Sequence, residues 1–383
     1  MTANEQQPTR PYIGGQAVLE GVMMRSPTSF AVVVRRRDGS LHVRERAMVD
    51  ARTGMAKLPL VRGVASLVES LKLGSEALRF SAEQMERDLD AEEAADAARK
   101  AKKTAGTSIL SAIRAVGYTL FLLTTADGDP SSGPAKTEEK KGSKTGMTLM
   151  LVLMVGILIA LPQAAAEGAN KWLKLGFGVQ TPQFQALTGL FKLTIVVGYL
   201  FMVRKVFADI RRVFQYHGAE HKTITTYEAN EPLDVAHART KTTLHPRCGT
   251  TFLVMVALVS IIVFTAIGSS LPQLHTGSRV GDSVVFFLVK LPFLPLIAAV
   301  TFEIQRFFAR YCTRGPLRAL LWPGFLCQKI TTIEPDDNQL EVALASLRVT
   351  LFRERGEDVK AGGDVRYASF DALMKSPHLR RAA

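Results

Sequence analysis

Two histidines and a glutamate stand close together in YHGAEHKTITTYE: His217 and His221 are four residues apart, and Glu220 is three after the first. On a helix that spacing puts both imidazoles on one face with the carboxylate beside them. The pattern is HxxEH, the arrangement of the inverted zincins, in which two histidines hold zinc and a glutamate activates water. The chemistry is coherent, because metal lowers the pKa of bound water and a nearby carboxylate can accept its proton. Downstream, TTLHPRCGT adds His245 and Cys248, three apart. Four candidate metal ligands, His217, His221, His245 and Cys248, therefore fall in one polar stretch, 204–249. Glu228 and Glu303 are alternative third ligands. His42, His275 and His378 have no such company, and His237 reads as an ordinary loop histidine.

Ligand number decides what zinc, or another divalent transition metal, would do here. Three protein ligands and an open position mean catalysis, with Glu220 as the general base; a closed His/His/His/Cys set means structure, with Glu220 orienting a ligand. Cys248 closes the set so readily that the residues favour a membrane scaffold or assembly protein with a metal-stabilised cytoplasmic site. The alternative is a metal-dependent hydrolase at the cytoplasmic membrane face. A small-solute transporter is third, suggested by Lys192, Lys290 and Pro292, but no inverted repeat supports it. Around the site, Arg247 could pair with a carboxylate or a lipid phosphate. Gln16 and Glu20, set among glycines in GGQAVLEGVMMR, read first as capping and packing residues and second as contributors to the site. Arg306 is placed to pair with Glu303 three residues before it. Neither GxxxxGK, nor GxSxG, nor a dinucleotide fingerprint after a strand is present.

Membrane helices must position these groups. Four apolar windows, 147–166, 186–203, 250–269 and 284–302, each approach the roughly 20 residues that cross a bilayer as helix. Pro292 and Pro295 should bend the last. Segment 109–125 is shorter and carries Arg114; it reads as interfacial or membrane-inserted, between charged linkers within 83–146. The formal charge is +13. Its lysines and arginines flank apolar segments and form no nucleic-acid motif, so membrane lipids and other membrane proteins are the expected partners, not nucleic acid. Basic runs after the second and fourth spans place stretch 204–249 and both termini in the cytoplasm of a multi-pass inner-membrane protein. A fifth span at 109–125 would change the side of the N-terminal part alone. Three cysteines without a CxxC pair suit a reducing face rather than a disulfide framework.

The expected fold is thus mainly α-helical, with about four transmembrane helices, a small N-terminal β-hairpin and cytoplasmic amphipathic helices. Residues 1–82 hold the hairpin, turned at Asp38–Gly39, and a helix over 58–80 with Val64, Leu67, Leu71 and Leu78 on one stripe. Residues 82–106 read as a solvated helix or tether, and 126–146 as a flexible linker. Spans 1 and 2 occupy 147–203, the polar stretch 204–249, and spans 3 and 4 250–302. Within 303–352, GPLRALLWPGFLCQKI reads as a broken interfacial segment. A helix then starts at Asp336, with Gln339 three residues on and Leu340, Leu344, Leu347 and Leu351 on one face. Residues 353–383 read as a polar tail.

PYIGGQAVLEGVMMR, PLVRGVASLVESLKLGSEALRFSAE, RVFQYHGAEHKTITTYE, LHPRCGTTFL and TTIEPDDNQLEVALASL resemble, in this order, the YqhQ-like family of bacterial membrane proteins. The resemblance covers most of residues 11–350. It implies a polytopic inner-membrane protein labelled a predicted metal-dependent enzyme, with His217, Glu220, His221, His245 and Cys248 as the candidate polar site.

Overall fold

The computed structural model describes residues 10–48, 58–99, 161–272, 276–312, 315–354 and 363–376. Segment 109–125, linker 126–146 and the greater part of the span expected at 147–166 lie outside them.

Five strands, β1 (Gly14–Val18), β2 (Gly21–Arg25), β3 (Ser29–Arg35), β4 (Leu41–Ala47) and β5 (Gly363–Tyr367), form one antiparallel meander in that order. The hairpin expected at Asp38–Gly39 is β3–β4. Gly39 takes φ +82° there, and the Ser40 N–H donates to the Asp38 carboxylate at 2.8 Å, the local bond that makes Asp a turn former. The sheet exceeds the expected hairpin on both sides. β1–β2 turns through Glu20 at φ +50°, and β5 is supplied by the tail.

Besides a described helical stretch at 161–172, the helices that build the described structure are α1 (Val61–Arg99), α2 (Pro182–Val206), α3 (Ala208–Glu228), α4 (Val235–Arg239), α5 (Gly249–Ile267), α6 (Arg279–Lys290), α7 (Leu294–Tyr311), α8 (Trp322–Thr331), α9 (Asp337–Glu354) and α10 (Phe370–Met374). α1 joins the expected amphipathic helix to the charged segment, which over its described part takes the solvated-helix form rather than the tether; no proline interrupts 61–99, and the charged half continues the backbone ladder.

The run FAVVV in β3 is apolar throughout because both faces of the sheet are covered. Phe30, Val32 and Val34 pack on Leu73, Ala77 and Phe80 of α1. Ala31 and Val33 point the other way, into a core shared with Tyr216 and Ala219 of α3 and with Leu340, Leu344 and Leu347 of α9. This is the two-residue alternation of a strand between two helical layers. α9 opens with the reciprocal cap its sequence suggests: the Gln339 N–H donates to Asp336 and the Asp336 N–H to Gln339, each at 2.9 Å.

Among the described residues, three helical stretches are long and apolar enough to cross a membrane: 182–206, 249–267 and 284–311. The first begins at Pro182, behind Thr181, whose side chain accepts from the Phe184 N–H. The third is broken as its prolines demand: α6 ends at Lys290, a 3-10 turn covers Leu291–Phe293, and α7 starts at Leu294. Lys290 turns inward, donating to Gln185 at 2.5 Å and lying over the Phe286 and Phe264 rings at 4.3 and 4.9 Å. After α2, the extended backbone at Phe207 (φ −108°, ψ 111°) ends one helix and begins the next. HGAEH therefore lies on a second helix rather than in a loop.

Candidate metal centre

α3 is buried along most of its length, with the sheet on one side and the α8–α9 connector on another. Gly218 makes the second approach tolerable: a Cβ there would sit 2.1 Å from the Ile333 carbonyl oxygen. That closeness brings the end of α8 to the histidines. His217 Nδ1 is 2.9 Å from the Thr331 carbonyl oxygen, and His221 Nδ1 is 2.5 Å from that of Thr243. A carbonyl only accepts, so both Nδ1 atoms carry hydrogen, which directs each Nε2 toward the site.

At the other end of the stretch, Cys248 caps the N-terminus of α5. Its Sγ lies 3.2 Å from His217 Nε2 and 3.0 Å from Thr250 Oγ1, and its carbonyl accepts from Gln305 at 3.1 Å. His221 Nε2 is buried with no hydrogen-bond partner. Ligand atoms of His217, His221 and Cys248 all fall within 4.8 Å of one another, so these three residues could hold a metal ion. Burial pushes the Cys248 thiol up, but the His217 and His221 imidazoles pull it well below its ordinary value, and the N-terminus of α5 favours the same thiolate. Burial opposes charge on His217, yet Cys248, Glu220 and the Thr331 carbonyl lift its pKa to about 9.

His245 stands beside this group rather than within it. Gln328 fixes its backbone, accepting from its N–H at 2.8 Å and donating to its carbonyl at 2.7 Å. Its ring is 5.7 Å from that of His221, and its Nε2 is 3.4 Å from Glu228. Burial lowers its pKa to about 4, so it is neutral. Neither alternative third ligand approaches the cluster. Glu228 pairs with Arg247, which also lies over the Tyr12 ring at 4.6 Å. Glu303 accepts from Arg62 of α1 at 2.7 Å, not from Arg306 as spacing suggested; a long-range partner displaces the helical pair.

Glu220 is 5% exposed and lies against β1. A Cβ on Gly15 would come within 2.7 Å of its carboxylate, and the Ala17 N–H donates to it. Burial raises its pKa, with His217 and His221 pulling the other way. Gln16 lines the same cavity, its Nε2 buried without a hydrogen-bond partner. Glu20 does not reach the site; it pairs with Arg212 and accepts from Tyr216 at 3.3 Å, tying the β1–β2 turn to α3. His237 lies within the short α4 rather than in a loop, and its ring bonds Asp234, the N-cap of that helix, at 2.8 Å, away from the cluster.

A cavity of about 670 Å3 opens onto His217, Glu220, His221, His245 and Cys248, walled also by β1, α1 and α7. The sequence reading missed Gln328, Gln305 and the carbonyls of Thr243 and Thr331. Gln328 left one signal, a lone amide in the apolar run WPGFLCQKI; backbone carbonyls leave none.

Residues 58–352 match the family described as "Protein of unknown function (DUF1385)". The chain is similar to the "Uncharacterized protein YqhQ" of Bacillus subtilis (strain 168), 30% identical over 343 residues, which is 89% of this chain and 92% of that protein. No solved structure matches it.

Proposed function

The chain belongs to the DUF1385 family of YqhQ-like proteins, and from its buried His/Cys/Glu cluster we propose that it is a metal-dependent hydrolase working at the cytoplasmic membrane face. One observation carries this reading. His217, His221 and Cys248 converge as three ligands at a cavity that also holds Glu220, while His245 is kept aside by Gln328 and Glu228. Three protein ligands leave a coordination position open, as catalytic zinc sites do, and two imidazoles with one thiolate suit zinc. This reverses the preference for a scaffold that the sequence suggested, because the fourth ligand needed to close the set points elsewhere.

A zinc ion held there would supply Lewis acidity and lower the pKa of a water in the open position. The protein's own groups do the rest. The carbonyls of Thr331 and Thr243 keep both imidazoles in the ligating tautomer. Glu220, raised by burial and steadied by the Ala17 N–H, takes the water proton and returns it to the leaving atom, while the water oxygen joins the attacked carbon or phosphorus.

Metal content of detergent-purified protein tests the reading. We expect about one zinc per chain, lost in His217→Ala and in Cys248→Ala and retained in His245→Ala. Absence of stoichiometric metal, or equal loss in a folded His245→Ala protein, would return the site to a hydrogen-bonded or four-ligand scaffold.

A further inference from the structure

We propose that the substrate is a membrane-embedded lipid bearing a phosphate group, which enters the cavity sideways from the bilayer between α1 and α7. The proposal names the substrate class of the hydrolase and rests on that reading for turnover, though not for binding.

Charge in the cavity points to an anion. Four arginines line it, and two are already neutralised: Arg25 by Glu69 at 2.7 Å and Arg247 by Glu228. Arg306 and Arg310, one turn apart on α7, are exposed and have no ion-pair partner among the described residues. Guanidinium forks at this spacing suit the oxygens of a phosphate. Apolar side chains share the wall, with Leu67 and Leu71 from α1, Phe252 from α5 and Phe302 from α7. An anionic head with a hydrocarbon body matches both halves; a free anion would leave the apolar half wet.

The position of Arg306 and Arg310 points to a lipid as the source of that anion. Arg306 and Arg310 stand near the end of the apolar stretch 284–311, where cationic side chains meet headgroups. α1 is fastened to that stretch, Arg62 donating to Glu303 at 2.7 Å and Gly63 lying against Phe302. Outside the cavity, Val61, Val64 and Val68 on one face of α1, with Leu60 just before it, are each 38–46% exposed. A bare apolar stripe beside a membrane-length helix fits the boundary of headgroup and acyl chain. Leu67 and Leu71 of the same helix line the cavity, offering apolar surface to acyl chains. A soluble peptide would leave the stripe uncovered.

Native mass spectrometry of the full chain in detergent tests this, reading bound metal and bound lipid together. Added dioctanoyl phosphatidic acid should bind saturably at about one per chain, and the double variant Arg306→Gln, Arg310→Gln should weaken it at least about tenfold. Dioctanoylglycerol, which lacks the phosphate, should bind as weakly as the lipid does to the variant. The proposal is overturned if the variant retains phosphatidic acid unchanged, if inorganic phosphate displaces the lipid at equal concentration, or if an unphosphorylated extended peptide does so. Lipid bound without zinc would sink the hydrolase and leave the lipid site standing. Zinc bound without lipid would do the reverse.

Discussion

Side-chain type gave His217, His221, Glu220 and Cys248 their candidacy, but neighbouring atoms assign their parts. Each imidazole has its Nδ1 on a carbonyl, so its free lone pair faces the cluster. Glu220 is held by a main-chain N–H and is not among the clustered ligand atoms. On the proposed reading, Glu220→Gln, nearly isosteric, should therefore bind zinc as the unaltered protein does while hydrolysis of a phosphate lipid falls by about 10²–10⁴-fold. Undiminished turnover in that variant removes Glu220 from the chemistry. Gln328 is fully buried and spends its amide on His245 and on Thr251, to which it donates at 2.6 Å. Gln328→Leu keeps the volume and leaves the His245 N–H and carbonyl unpaired, which should cost about 1–3 kcal/mol. A denaturant titration with an unchanged midpoint would show that the clamp is not needed. The sequence made the four side chains legible because spacing on a helix is local. It could not separate His245 from the cluster, because the groups that hold it aside, Glu228 and Gln328, are 17 and 83 residues away.

Among the elements, local signals fared best where the bonds themselves are local. The β3–β4 turn and the Asp336–Gln339 cap were readable from a few residues each. The fifth strand was not, since β5 is short and exposed and exists by pairing with β4, Val43 opposite Val365. α3 shows the same division. Its helical spacing is written in HGAEH, whereas the need for Gly218 appears only when the connector crosses it. Gly218→Ala should drive the new methyl into the Ile333 carbonyl, push away the segment that carries Thr331, and cost about 1–3 kcal/mol. Gly198→Ala on α2, where nothing lies within 4 Å of the added carbon, is the matched control and should not destabilise. Equal melting temperatures for the two variants would mean that the connector yields freely.

At the scale of the molecule, the sheet constrains how the chain crosses the membrane. β4 pairs with β5, and α3 and α9 pack on the sheet, so residues 14–47, 208–228, 337–354 and 363–367 must lie on one side. If 182–206, 249–267 and 284–311 all cross, the return to that side after α7 requires an odd number of crossings between α1 and α2. The expected span at 147–166 satisfies this by itself; a further one at 109–125 would not. In a background that keeps the three buried native cysteines, Ala82→Cys and Ala368→Cys should react with a membrane-impermeant maleimide from the same side and Ser270→Cys from the other. Labelling of positions 82 and 368 from opposite sides would mean that β5 does not join the sheet in the membrane-bound protein.

By itself the sequence determined that apolar helices dominate the second half, that a hairpin opens the chain, and that histidines and a cysteine gather between two of those helices. Each is a matter of composition or of periodicity over a few residues, which a linear chain displays openly. Tertiary structure alone decided that the tail completes the sheet, that Glu303 belongs to Arg62, and that Cys248 rather than His245 joins His217 and His221. Those outcomes depend on which distant surfaces meet. Backbone carbonyls and exposed guanidinium groups become part of a site only once packing has placed them around a common cavity.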